Sequence, residues 1–182
     1  MAYSRQGPAL YYSRKLGYFL QVLDFEPLVL DGKGNRRPPS EFKELNFQNE
    51  KHRDVALCAL NSSLFYWFVT VFSDCRHLNK REIDGFPLDV VTLGEKCGGS
   101  LTKLARRLMR NLRETSEERT MRFQHDHLTV QCILPRFSKP ILDEIDAVLA
   151  EYYGFSPVGL DFIVNYDIKY RLGQGEAETV VA

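Results

Sequence analysis

Apolar positions along this chain change period several times, and each change marks an element. From Gly17 to Leu30 aromatic and branched residues alternate roughly with polar ones and stop at Asp31-Gly32-Lys33-Gly34-Asn35, a turn composition, so the stretch predicts two strands. Arg36, Arg37, Pro38 and Pro39 read as extended, because a residue before proline is pushed out of the helical region. A short strand is expected at Lys43 to Phe47. From Asp54 to Phe72 the apolar residues reach helical density, interrupted by Asn61-Ser62-Ser63, poor helix-interior residues that predict a break or a re-capping between two abutting helices. Leu64 to Phe72 is the densest apolar run and holds the only tryptophan, Trp67, which makes it the expected core anchor.

Further along, Leu101, Leu104, Ala105, Leu108 and Leu112 recur at steps of three and four and define the inner face of a helix. Lys103, Arg106, Arg107, Arg110 and Arg113 fall on the other face. Arg119 to Phe123 and Leu128 to Leu134 predict two strands joined by His125-Asp126-His127. Ser138 is a candidate cap for a helix carrying Ile141, Leu142, Ile145, Val148, Leu149 and Tyr152 up to Gly154, a natural stop. Ser156-Pro157 then opens a second helix with Leu160, Ile163, Val164 and Ile168 inward. The expected fold is α+β: mixed, mainly antiparallel strands with a buried central helix, a long basic helix and a C-terminal helical hairpin. The α+β part is expected over residues 1–136, the packed hairpin over 137–173 and a disordered tail over 174–182.

With 182 residues, 44% of them hydrophobic, the chain is long enough to bury one core. Its formal net charge of zero supplies no whole-molecule attraction to nucleic acid, so any such contact must come from local clusters of Lys and Arg. The four cysteines, Cys58, Cys75, Cys97 and Cys132, form no CxxC pair and have no zinc-site spacing, which fits reduced thiols in a cytoplasmic protein. The longest apolar run falls short of the ~20 residues that a membrane span needs, so no membrane is expected as a partner.

Two basic groups stand out. Arg76, His77, Asn79, Lys80 and Arg81 follow the apolar run directly, are expected to form one reading loop, and carry donors suited to phosphate oxygens and base edges. The Lys103 to Arg113 face, on which no acid intervenes, is either a ridge that follows phosphates or a solvated helix surface whose charge suits the helix dipole. Phe65, Trp67 and Phe68 are core residues or, alternatively, a platform for stacking an extruded base. Asp31 with Glu41 and Lys43 has the carboxylate-and-lysine look of a metal-dependent nuclease, although such residues are ordinary in polar turns. His125 and His127 make a weak metal pair, so no metal ligand is assigned.

The order LNSSLFYWF (60–68), a polar loop, LNKREI (78–83), FPLD (86–89) and then a long helix resembles the target-recognition domains of restriction-modification proteins. It looks most like the TaqI-like specificity domain at the C-terminus of type II enzymes. KPILDEIDAVLAEYYGFS (139–156) and LDFIVNYDIKYRLG (160–173) are similar to the tail of such methyltransferases, so the likeness covers roughly residues 11 to 173. It implies a DNA sequence-recognition part of an N6-adenine methyltransferase, with double-stranded DNA and a methyltransferase or endonuclease domain or subunit as partners. The chain has no glycine-rich loop for S-adenosylmethionine, and Arg37-Pro38-Pro39-Ser40 lacks the leading amide and trailing aromatic of the catalytic tetrapeptide. No catalytic residue and no cofactor are therefore expected here; S-adenosylmethionine belongs to a catalytic domain elsewhere. A module that docks to a catalytic protein is the alternative, and it predicts an exposed apolar patch.

Overall fold

The computed structural model describes residues 1–123 and 127–172. It contains β1 (Ala9–Ser13), β2 (Val22–Leu23), β3 (Val29–Leu30), β4 (Phe42–Asn46), α1 (Glu50–Asn61), α2 (Ser63–Phe72), α3 (Lys80–Gly85) and α4 (Val90–Glu114). β5 (Glu117–Arg122), β6 (His127–Cys132), a 3-10 turn over Pro135–Ser138, α5 (Lys139–Tyr153), α6 (Pro157–Asn165) and α7 (Ile168–Arg171) follow. The fold is α+β, with two small antiparallel sheets set against a helical core.

One sheet has the order β2-β1-β4, with Ala9 opposite Asn46, Ser13 opposite Phe42 and Tyr11 opposite Leu23. The other has the order β3-β6-β5, with Val29 opposite Val130 and Arg122 opposite His127. The two strands expected between Gly17 and Leu30 therefore form, but they join different sheets and do not pair with each other. β1 carries no turn signal or clear alternation in its sequence, and it is nonetheless the central strand of its sheet.

The break between α1 and α2 forms where Asn61-Ser62-Ser63 predicts it, and the two axes bend by 62°. Each of the three residues has a distinct part. Asn61 Nδ2 donates to Val22 O at 2.7 Å while its Oδ1 accepts from Val22 N at 3.1 Å, so a side chain on α1 closes the edge of β2 like another strand. Ser62 Oγ donates to Ala59 O at 2.6 Å and accepts from Phe65 N at 3.1 Å, ending one helix and capping the next. Ser63 Oγ accepts from the guanidinium of Arg171 at 2.9 Å.

The N-terminus of α2 also receives Asp146 from α5, whose Oδ1 accepts from Ser63 N at 2.9 Å and from Leu64 N at 3.4 Å. Its Oδ2 is buried with no hydrogen-bond partner among the described residues. Burial pushes this carboxyl up to about 6, against the opposing pull of the Ser63 and Leu64 donors and of Arg171. Arg171 is itself buried. It donates to Tyr18 O at 3.0 Å and lies over the rings of Phe19 and Tyr66, so α7 is tied to both α2 and the N-terminal sheet.

Val55, Leu57, Leu60, Phe65, Leu93, Leu101, Leu108, Leu112, Leu142, Ile145 and Leu149 share a single buried cluster, so α5 of the expected hairpin packs into the same core as α1, α2 and α4. All the apolar positions expected on the inner face of α4 are buried. Three details depart from the sequence expectation. Ser138 occupies the cap position of α5, but its hydroxyl is buried and donates to Asn111 Oδ1 at 2.7 Å instead. The second helix of the hairpin stops at Asn165, where Asp167 takes a left-handed φ of 55°, and Ile168 falls in α7. Trp67 is only half-buried, edge-on to Phe72, whereas Phe65 two residues earlier is completely buried against Phe86. The expected tail over 174–182 lies outside the described residues.

Two consequences for stability follow from these positions. Phe65→Ala should cost about 3–5 kcal/mol and Trp67→Ala clearly less, as read by urea denaturation; equal losses would mean that the half-exposed indole carries more packing than its burial allows. The folded carboxyl of Asp146 titrates above its unfolded value, so its contribution is fully present below about pH 4 and is lost as pH rises through about 6. Relative to Asp146→Asn, the wild type should therefore lose about 2 kcal/mol of stability between about pH 4 and pH 7.5. A pH-independent difference between the two would contradict the buried titration.

Candidate nucleic-acid interface

The segment from Ser73 to Asn79 leaves α2 as a loop that its own polar residues shape. Asp74 Oδ1 accepts from Arg76 N at 2.9 Å and His77 N at 3.3 Å, and these donors hold its carboxyl below the usual value. Cys75 takes a left-handed φ of 55°, with Ser73 Oγ accepting from its N–H at 3.1 Å. The loop is then stitched to the residues after β1: Leu16 N donates to Arg76 O at 3.3 Å, Leu78 N donates to Arg14 O at 2.8 Å, and Lys15 bridges His77. Leu78 is fully buried and acts as the peg. Arg76 and His77 are thereby presented outward from a fixed backbone.

Of the other three polar residues of the expected reading loop, Asn79 is the N-cap of α3 and Lys80 and Arg81 lie in its first turn, which corrects the picture of one continuous loop over 76–81. Asn79 opens the helix, its N–H donating to Glu82 Oε2 at 2.9 Å. Lys80 Nζ lies 2.6 Å from Asp84 Oδ2 and 4.1 Å from the centre of the Tyr3 ring, and the Tyr3 hydroxyl donates to the same carboxylate. Arg81 donates twice to Glu82 Oε1, at 3.0 and 2.7 Å. Burial raises Glu82, but Arg81 and the Asn79 N–H outweigh it and hold the carboxylate below its ordinary value. Lys80 and Arg81 are thus neutralised within the fold.

The basic face of α4 divides in the same way. Arg107 makes a two-pronged contact with Glu144 of α5, at 2.6 and 2.9 Å. Arg113 reaches Asp24 at 2.5 Å and lies over the Phe25 ring. Both pairings come from elements distant in sequence, so the expectation of five unpaired cations is corrected to three. Lys103, Arg106 and Arg110 are exposed and have no partner among the described residues.

Between the two sheets lies a cleft of about 920 Å³, walled by apolar side chains such as Val29, Phe42 and Val130 and edged by Lys15, Arg37 and Arg76. That size is within the range of small-molecule sites. Lys15 and Arg37 carry no periodic or motif signal, because two sheets assembled from distant segments bring them to one opening. Arg37 has its own acid, Asp31 Oδ2 at 3.4 Å. No ion pair among the described residues holds Arg76.

The candidate nuclease residues each have their own setting. The Asp31 carboxylate accepts from Lys33 N and Asn35 N within its own turn, Glu41 lines the cleft, and Lys43 is exposed on β4. Among the described residues no group of three or more His, Cys, Asp or Glu side chains is placed to hold a metal ion. His125 and Asp126 lie outside those residues. None of the described helices alone is long and apolar enough to cross a membrane. Neither protein-family models, nor curated proteins, nor solved structures give a match to this chain.

Removing the peg should release the loop. Leu78→Ala is expected to cost about 2–5 kcal/mol and to expose the segment from Ser73 to Asn79 to limited proteolysis under native conditions. An unchanged digestion pattern would mean that the Arg14 and Leu16 backbone bonds hold the loop without it.

Proposed function

We propose that this chain is a cytoplasmic DNA target-recognition module of the TaqI-like specificity class, a non-catalytic part of a site-specific N6-adenine methyltransferase or restriction enzyme. Its partner is a methyltransferase or endonuclease domain or subunit, which binds S-adenosylmethionine and supplies the chemistry. The observation that carries the reading is the partition of cations. Lys80, Arg81, Arg107 and Arg113 are each neutralised by a nearby carboxylate, whereas Arg76 at the cleft and Lys103, Arg106 and Arg110 on α4 make no ion pair among the described residues. A chain with zero net charge that leaves these particular cations open has the local footprint that phosphate binding needs. Arg76, on a rigid loop at the mouth of a cleft, supports directional contact to a base edge; the α4 cations support backbone contact.

A docking role is the second reading, and exposed apolar side chains favour it: Val71 and Phe72 at the end of α2 are 49% and 64% exposed, and Val158 and Phe162 on α6 are 79% and 53% exposed. The two readings are compatible, since a specificity module must hold its catalytic partner as well as its DNA.

Gel-shift titrations at two salt concentrations test the DNA reading. Arg106→Ala with Arg110→Ala should weaken binding to every sequence alike and lower the salt slope by roughly one per lost phosphate contact. Arg76→Ala should cost about 1–3 kcal/mol on a selected site and much less on random DNA. No salt-dependent binding by the wild type, alone or with its catalytic partner, would sink the proposal.

A further inference from the structure

The cleft between the sheets has walls fixed by hydrogen bonds. On one side the β5–β6 ribbon turns Leu128, Val130 and Cys132 into it, and Gln131 ties this wall to the segment before β3. Gln131 N donates to Leu28 O at 2.8 Å, its Oε1 accepts from Leu28 N at 3.1 Å and its Nε2 donates to Ser116 Oγ at 2.9 Å. On the other side Arg37 N donates to Val29 O at 2.9 Å and Arg14 N donates to Glu41 O at 2.8 Å. The stretch from Arg37 to Phe42 is thereby held to β3 and to the end of β1.

Rings line these walls: Phe19, Phe42, Pro27, Pro38, Pro39 and Pro135. A proline has no side-chain rotamers to lose when a ligand covers it, so an aromatic body packs on such a lining at low entropic cost. Two polar side chains of the lining are already occupied, Gln131 as above and Ser13, whose Oγ donates to Lys15 O at 3.3 Å.

Charge sits at the edge and is unequal. Lys15, Arg37 and Arg76 line the cleft, and Glu41 is the one acid among the described lining residues. Lys15 is already engaged, and Arg37 has Asp31 at 3.4 Å. Among the described residues neither the Arg76 nor the Glu41 side chain has an ion pair, not even with the other. Arg76 is also the better placed of the two, because the turn made by Asp74 and the buried Leu78 fix its backbone.

We infer that this cleft binds a small aromatic acid, with its rings between the prolyl and phenyl rings and its acidic group on the Arg76 guanidinium. Glu41 sets the orientation, since the acid meets a cation at one end of the cleft and like charge at the other. The inference goes beyond the DNA reading and shares Arg76 with it, so an occupied cleft withdraws that guanidinium from a base edge.

Two fluorescent probes with one ring skeleton separate shape from charge: anilinonaphthalene sulfonate, and phenylnaphthylamine, which lacks the sulfonate. Each is titrated into the full chain, wild type and variants, after thermal melts establish that all fold. Arg76→Ala should weaken the sulfonate about tenfold. Glu41→Gln should tighten it about twofold, and neither change should move the neutral probe. Gly17→Trp should displace both probes, because Gly17 lines the cleft and a Cβ there meets only Phe19 O, at 3.7 Å. Sulfonate binding unchanged by Gly17→Trp would place the probe on another apolar surface and end the inference. So would Arg76→Ala and Glu41→Gln shifting the sulfonate in the same direction, or shifting both probes alike. No DNA enters the experiment, so its failure leaves the DNA reading standing.

Discussion

Asn61, Ser62 and Ser63 are where the helical core, the N-terminal sheet and the C-terminal helices meet. A helix cannot continue through them at low cost, and a bend of 62° inside a core leaves polar groups, the Asn61 amide, the Ser63 N–H and the Ser63 hydroxyl among them, that need partners. Those partners come from three directions: Val22 on β2, Asp146 on α5 and the guanidinium of Arg171 on α7. Each buried group is tolerable because the others are present, since an uncompensated buried charge is strongly destabilising. The arrangement orients α2, and α2 delivers the loop that holds Arg76.

The distribution of charge is the second organising feature. A sum of zero hides a division made by the fold, in which some cations receive carboxylates from distant elements and others do not. Arg107 and Arg113 lie on the same helix as Arg106 and Arg110, and their partners, Glu144 and Asp24, come from α5 and from the segment between β2 and β3. Exposed ion pairs of this kind contribute little stability, about 0–1 kcal/mol, so their main effect is to remove charge from one part of the ridge. What remains open is narrower than the row of basic residues in the sequence.

The loop at Arg76 and the β5–β6 ribbon both border the cleft between the sheets, the ribbon by its apolar face and the loop by its cation. One surface is held by a buried leucine and backbone bonds, the other by a ladder of strand pairs. Apolar side chains are left open elsewhere, Val71 and Phe72 at the end of α2 and Val158 and Phe162 on α6.

The sequence by itself determined most of the local structure, because local structure depends on period and on caps. The α4 stripe, the stop at Gly154, the helix start at Ser156-Pro157 and the break at Asn61-Ser62-Ser63 are all present as read, since three- and four-residue spacing and side-chain competition for backbone groups act over a few residues. Tertiary structure decided what depends on distant partners. β1 became a central strand because β2 and β4 flank it, and Ser138 turned from its own helix to Asn111 because that acceptor was buried beside it. Phe65 rather than Trp67 reached the deepest position, since the helix phase relative to Phe86 and α5 cannot be read from apolar density alone. The site divides along the same line: residue types named the cations, and only folding chose which of them would meet an acid.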